Sequence, residues 1–148
     1  MFAQKLIGLD IGTTSVKAAV IDTNGTIHAR FSEAYPSSRT ETNLVEQNPE
    51  DWINLLNKAL NSFTDHTVVG IGICSQVNTH VFLGADDRPI FPAITWQDIR
   101  AKNEAKYLNS QVSDEEKIKW WGSPMPIDAS HALSRMAWMK KMLSLIHI

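Results

Sequence analysis

From Lys5 to Asp22 the residues KLIGLDIGTTSVKAAVID lay down two short β-prone runs, Leu6 to Ile11 and Val16 to Ile21, broken by Gly12, Thr13, Thr14 and Ser15. A polar tetrad between two apolar runs predicts a hairpin with a tight turn. Thr23, Asn24 and Gly25 follow at once, and Asn-Gly is the strongest short-range hairpin signal. A third β-prone run then extends from Thr26 to Ala34, so the chain opens with a three-stranded antiparallel meander.

The polar stretch Pro36 to Asn48 reads as a connection leading to the clearest helix in the sequence. Asn48 suits the cap, Pro49 the first helical position, and Glu50 and Asp51 the positive end of the helix dipole. Trp52, Leu55, Leu56, Ala59, Leu60 and Phe63 recur at helical spacing, which predicts one apolar face packed on the sheet. Thr67 to Cys74 is a continuous apolar run of strand length, and the pattern predicts a central strand covered on both faces. Thr79 to Leu83 and Ile90 to Trp96 read as a further hairpin around Ala85 to Pro89. Helical patterns return at Asp98 to Leu108, at Asp114 to Trp121 with Ser113 and Glu116 spaced as a capping box, and from Asp128 to Leu143. Strands in a meander, then a helix, then more strands predict an α/β fold with a mixed sheet and not a doubly wound one.

The 148 residues amount to one domain or part of one. Lys plus Arg number 14 against 16 Asp plus Glu, a net charge of -2, so neither a nucleic-acid nor a membrane-surface partner is expected. A single cysteine, Cys74, excludes an internal disulfide framework, and the five histidines show no zinc-site spacing. With no apolar run near the roughly 18 residues of a membrane span, the reading is a soluble cytoplasmic protein. The last helical pattern runs to the chain end without a C-cap glycine, which reads as truncation; Ser144 to Ile148 resembles translated sequencing-adapter read-through and is expected to be an artefactual tail.

Chemistry concentrates at Asp10-Ile11-Gly12-Thr13-Thr14-Ser15-Val16-Lys17. Turn amides and hydroxyls can donate to phosphate oxygens, Lys17 adds positive charge, and Asp10 can hold Mg²⁺ directly or through water. Neither the GxxxxGK[ST] nor the GxGxxG motif is present, and the turn joins two strands. On the residues alone the alternative stands that this is a threonine-rich hairpin with Asp10 capping its own turn. Cys74 reads as an inert core thiol, His80 as a strand residue facing solvent, and Trp120, Trp121, Leu133, Met136 and Ala137 as helix packing.

LIGLDIGTTSVKAAVID resembles the first phosphate motif of the FGGY carbohydrate kinases, members of the actin-like, ribonuclease-H-like ATPase superfamily. EQNPEDW at Glu46 to Trp52, GIGICSQ at Gly70 to Gln76, DDRPIFPAITWQDIRA at Asp86 to Ala101, and the Trp121 to Lys140 region resemble further family segments in the same order. The resemblance implies a ribonuclease-H-like mixed sheet flanked by helices and incomplete at the C-terminus. It implies that residues 1–148 are the N-terminal part of the first kinase domain, with the second domain absent.

It also implies ATP-dependent phosphorylation of a sugar or polyol hydroxyl. Gly12, Thr13, Thr14 and Lys17 would serve the ATP phosphates, and Asp10 the Mg²⁺. Gln76, Val77, Asn78, Trp96 and Asp98 would line the acceptor site: amides give paired donors and acceptors, the indole an apolar face, and the carboxylate an acceptor for hydroxyls. Xylulokinase-like members read Gln-Met-His and glycerol-kinase-like members Gln-Arg-Glu at Gln76-Val77-Asn78, so the substrate does not carry over. The family's general base, an aspartate late in the first domain, is expected beyond these residues, leaving the fragment inactive alone. The full-length parent is expected to be a homodimer. The competing reading is a non-catalytic actin-like nucleotide-binding module, which has no need of the Gln76, Trp96 and Asp98 set.

Overall fold

A computed structural model of the chain describes residues 3–41 and 44–146. Two compact units emerge, one from Met1–Ser38, Gln47–Val77 and Val81–Ala93, the other from Arg39–Glu46, Asn78–His80 and Ile94–Ile148.

In the first unit, β1 (Lys5–Ile11), β2 (Ser15–Asp22) and β3 (Ile27–Ala34) form the expected antiparallel meander, with Asp10 opposite Lys17 and Lys17 opposite Ser32. Gly25 adopts φ 87° in the connecting turn, a conformation glycine enters without the Cβ penalty. Helix α1 (Pro49–Asn61) starts as predicted, its Asn48 side chain accepting from the Glu50 amide. Strand alternation sends Ile7, Leu9, Ala18 and Val20 to one sheet face, where they bury with Ala59 and Phe63. Beside them Val16, Tyr35 and Leu55 form a second buried cluster. Each large side chain buried there contributes about 1.5–3 kcal/mol.

Strand β6 (Gly70–Ser75) pairs in parallel with β1, giving the order β3-β2-β1-β6. The expectation of a central, doubly covered strand is corrected: among the described residues β6 is an edge, and Ile73 is 66% exposed. Ile71 and Ile73 share the α1 face of the sheet with Ile7 and Leu9, but α1 packs mainly over β2 and β3. Cys74, expected in the core, is exposed on the opposite face of the sheet, in register with Asp10.

The polar stretch before α1 holds two strands the pattern did not predict, β4 (Ser38–Glu41) and β5 (Leu44–Gln47). With β7 (Ala93–Ile94) they form a three-stranded sheet drawn almost wholly from the second unit. The second predicted hairpin shrinks to isolated bridges, His80 to Ile94 and Leu83 to Pro89.

The second unit also contains α2 (Lys102–Gln111), α3 (Asp114–Trp121) and α4 (Ala132–Ile146). Both arms of the Ser113–Glu116 capping box form, and Gly122 at φ 76° closes α3 by donating its N–H to the Ile118 carbonyl. Helices α2 and α4 pack together, burying Ala105 and Met139, and the Arg100 guanidinium stacks 5.0 Å from the Trp138 ring centre. Trp120, Trp121, Leu133 and Met136, expected as packing residues, are exposed. Of the tail Ser144–Ile148, α4 includes the residues through Ile146 and the last two lie outside the described residues. No helix among the described residues is long and apolar enough to cross a membrane.

Candidate functional site

In the first unit the β1–β2 turn is closed by the Gly12 amide donating to the Ser15 carbonyl at 3.0 Å. Its successive carbonyls are each held. Gly12 O accepts from the Tyr35 hydroxyl, Thr13 O from Gln47 Nε2 at 2.8 Å, and Thr14 O from the Tyr35 amide at 3.2 Å. A trans peptide sets C=O and N–H on opposite sides, and the described residues contain no cis bond. Tying the Gly12 and Thr13 carbonyls toward Tyr35 and Gln47 therefore turns the Thr13 and Thr14 amides the other way. This is the arrangement by which turn amides concentrate positive potential for an anion.

The residue organising the turn is Gln47, 2% exposed. Its Nε2 also donates to Ser37 Oγ at 2.7 Å, and its Oε1 accepts from Gln76 Nε2 at 2.7 Å. Gln76 Nε2 lies 3.4 Å from the Tyr35 hydroxyl as well, so the amide expected to meet the acceptor belongs to the network behind the turn. Burial, and then the charge of Asp10, push the Tyr35 phenol up to about 12, which keeps it a donor at any physiological pH.

Asp10 is half-buried near the end of β1, with Lys17 exposed opposite it and Cys74 on the neighbouring strand. The Cys74 thiol donates to Asp10 Oδ1 at 3.4 Å. That hydrogen bond, with burial and the carboxylate charge, raises the thiol pKa and keeps it protonated. Asp10, Lys17, Arg30, Ser32, Gly72 and Cys74 help line a groove of about 700 Å³ along the sheet. A Cβ on Gly12 would stand 3.6 Å from Asp10 Oδ2, so glycine leaves open the space in front of the carboxylate. Among the described residues no cluster of three metal-ligating side chains occurs. A lone carboxylate beside a turn whose amides can meet an anion fits Mg²⁺, which keeps several waters and can take other ligands from phosphates.

Val77 closes the same unit and is exposed. The remaining acceptor candidates belong to the second unit. Asn78 takes φ 54° and donates through Nδ2 to Ser130 Oγ at 3.1 Å. Trp96 is 45% exposed, and its amide donates to Thr79 Oγ1 at 3.2 Å. Asp98 is 1% exposed: Oδ1 accepts from Arg100 Nε at 2.8 Å and from the Arg100 amide at 2.9 Å, while Oδ2 accepts from Arg100 Nη2 at 2.7 Å and from the Val45 amide at 2.6 Å. Four donors on a buried carboxylate suit it to fixing the turn that carries Trp96 better than to meeting a hydroxyl. Burial alone would lower the Arg100 pKa, but the hydrogen bonds it donates to Asp98 and Glu46, with their charges, outweigh it and raise the guanidinium above its ordinary value.

Three residues at the centre of these arrangements, Tyr35, Gln47 and Arg135, carried no signal in the sequence beyond Gln47 falling within EQNPEDW and Arg135 within the Trp121 to Lys140 region. The buried Arg135 side chain is pushed down to about 10, chiefly by burial, and stays charged at neutral pH. His80 is half-buried against it and does not simply face solvent; its pKa is lowered by burial and by the nearby charges of Arg135 and His131.

Residues 5–143 match the model of the FGGY family of carbohydrate kinases, N-terminal domain. The chain is 29% identical over 138 residues to a gluconokinase of Bacillus subtilis, covering 90% of this chain and 26% of that protein. It is 32% identical over 116 residues to a xylulose kinase of Klebsiella pneumoniae, covering 76% and 24%. The crystal structure of a xyloylose kinase from Brucella ovis superposes with a TM-score of 0.85 at 25% identity, over 97% of this chain and 30% of that one. The chain thus spans about a quarter of the length of the curated relatives it matches.

Proposed function

The chain belongs to the FGGY family of carbohydrate kinases, and from that premise we propose that the full-length protein transfers the γ-phosphoryl group of ATP to a hydroxyl of a sugar or polyol. The observation that carries the reading is the β1–β2 turn, whose Gly12 and Thr13 carbonyls are tied down by Tyr35 and Gln47 so that amides face the other way. Phosphoryl transfer needs positioning and charge neutralisation more than covalent chemistry from the protein. Gly12 would let the phosphates approach the backbone, Thr13 and Thr14 would donate amides and hydroxyls, and Lys17 would add a positive charge. Asp10 would hold Mg²⁺, directly or through water. Bound there, the ion would neutralise phosphate charge as the bond to the leaving group breaks.

On the acceptor side, Asn78 would offer its amide and Trp96 an apolar face for C–H groups, with Gln76 and Val77 completing the loop. Asp98 would act through the turn it fixes. The gluconokinase and xylulose kinase relatives make a sugar or sugar acid the first acceptors to try. A cytoplasmic setting, where ATP is abundant, and a homodimer of the full-length protein complete the proposal; light scattering reads the second.

The test is to express the full-length protein from the gene that carries this sequence and measure ATP consumption against pentoses, hexoses, pentuloses, gluconate and polyols. Mg²⁺-dependent turnover with at least one acceptor is expected, and D10A should abolish it without changing the circular dichroism spectrum. ATP binding with no turnover on any acceptor would overturn the kinase reading in favour of a non-catalytic nucleotide-binding module. Full activity in D10A would refute the metal role.

A further inference from the structure

Arg135 lies in the first turn of α4 and is 0% exposed. Its Nη1 donates to the carbonyls of Asn78 and Ile94, each at 2.6 Å, and to His80 Nδ1 at 2.9 Å. Its Nη2 donates to the Thr95 carbonyl and, at 3.4 Å, to that of Asp98. Its Nε has no partner among the described residues, and no carboxylate there pairs with the guanidinium, since Asp98 gives both its oxygens to Arg100 and Val45. A buried cation with no carboxylate hydrogen-bonded to it is a costly way to join two loops, and a methionine of similar length would fill the space without it. What the guanidinium adds is a rigid planar fork that takes several carbonyls at fixed angles, which neither an aliphatic chain nor a lysine can do.

The carbonyls it gathers are those of the two segments that carry Asn78 and Trp96. Asn78 sits at φ 54°, a left-handed conformation uncommon for non-glycine residues, though asparagine tolerates it better than most. Here it is held at both ends, its carbonyl by Arg135 and its side chain by Ser130, which Asp128 in turn fixes through both its amide and its hydroxyl. Trp96 lies between Thr95 and Asp98, whose carbonyls Arg135 also takes, and the residue stays 45% exposed on a backbone held on both sides.

Resting on the kinase reading above, we propose that Arg135 is a positioning residue of the acceptor site. It locks Asn78 in its left-handed conformation and fixes the Thr95–Asp98 turn, so that the acceptor meets an amide and an indole already in place.

The experiment uses the full-length protein, its variants R135K and R135M, and the pair N78G and N78A. Michaelis constants for acceptor and for ATP, kcat and thermal midpoints are measured for each. R135M should raise the acceptor KM by about tenfold to a hundredfold while leaving the ATP KM within about twofold, and R135K should recover part of that loss. If acceptor KM is unchanged in both, whether or not the midpoint falls, Arg135 is only a strut of the fold and the proposal is overturned. Should the Arg135 variants fail to fold, the Asn78 pair decides. Both lack the amide, but only alanine resists φ 54°, so N78A should raise the acceptor KM more than N78G. Equal values overturn the proposal. Absence of turnover in the unmodified protein would instead overturn the kinase reading on which it rests.

Discussion

Replacing Asp98 by Asn removes one charge from a buried ion pair while keeping its shape, and the structure sets what that should cost. The Asp98 side chain is 0% exposed and that of Arg100 is 4% exposed. Four donors converge on the carboxylate, three of them from Arg100. In D98N an NH₂ group must face at least one of these donors, and the guanidinium keeps Glu46, at 2.7 Å, as an ionised partner. Breaking a buried pair by removing one member costs about 3–5 kcal/mol. Because Glu46 still compensates Arg100, D98N should fall near the lower end, about 3 kcal/mol. R100M leaves the carboxylate with two backbone amides and no counter-charge, and should cost at least as much. For a urea m-value of about 1–3 kcal/mol/M, each single variant lowers the unfolding midpoint by about 1–3 M. Tryptophan fluorescence of the 148-residue chain, with Trp138 stacked on Arg100, provides the signal. The double variant D98N/R100M should cost at least about 2 kcal/mol less than the sum of the singles, because neither charge is then left alone. Strictly additive losses, or a D98N loss under about 1 kcal/mol, would refute the argument. A stable D98N whose full-length counterpart loses acceptor affinity would return Asp98 to direct contact with substrate.

Gln47 and His80 offer two further tests. Q47E replaces the Nε2 donor with a carboxylate oxygen facing the Thr13 carbonyl and Ser37, so the turn should loosen; the ATP KM of the full-length protein should rise by about tenfold and stability fall by about 1–3 kcal/mol, and an unchanged ATP KM would detach Gln47 from the phosphate site. His80 accepts from Arg135 through Nδ1, which requires the neutral ring, and its pKa is lowered in the folded chain. The unfolded chain therefore takes up the proton first as pH falls, so the stability that neutral His80 contributes is complete above about 6.5 and is lost toward lower pH. The urea midpoint should fall between about pH 7.5 and 5.5, and H80N, which keeps an acceptor but does not titrate, should remove most of that change. Asp22, whose pKa is also lowered, contributes only in the carboxylate range and leaves this window untouched. An identical pH profile in H80N would refute the assignment.

The parts of the fold legible in the sequence are those whose signals are local. The β1–β2 hairpin, the Asn-Gly turn, the Asn48 cap and the Ser113–Glu116 box depend on residues within a few positions of one another, and all form. The strands β4 and β5 escaped because their stretch is polar. Gln47 is buried there through hydrogen bonds to Thr13, Ser37 and Gln76, and hydropathy reads a buried amide as an exposed one. The run at Gly70–Ser75 misled in the opposite sense. Its side chains are as apolar as a central strand requires, but coverage depends on which elements reach it, and here only β1 pairs with it among the described residues. Asp10 to Lys17 could be singled out because its chemistry is written in consecutive residues, whereas Tyr35, Gln47 and Arg135 reach their partners across 10 to 57 positions of sequence.

Those three residues share a physical logic that bears on how the candidate site works. Each donates to main-chain carbonyls, and none is placed as a contact for the ligand itself. In the first unit Tyr35 and Gln47 draw the Gly12 and Thr13 carbonyls inward, and the planarity of the peptide then dictates where the Thr13 and Thr14 amides point. In the second, Arg135 takes the Asn78, Ile94, Thr95 and Asp98 carbonyls and so fixes the backbone beneath Asn78 and Trp96. Fixing carbonyls before a ligand arrives moves the cost of ordering the loop from binding to folding, where burial of Val16, Tyr35 and Leu55 in one unit and of Ile127 and Met139 in the other offsets it. The Gln76-Val77-Asn78 stretch proposed for the acceptor side can then vary, as it differs from Gln-Met-His and Gln-Arg-Glu, while the donors beneath hold the loop in one shape. Substitutions at Val77 should therefore change which acceptor is preferred, substitutions at Arg135 should weaken every acceptor alike, and substitutions at Gln47 should weaken ATP whichever acceptor is used.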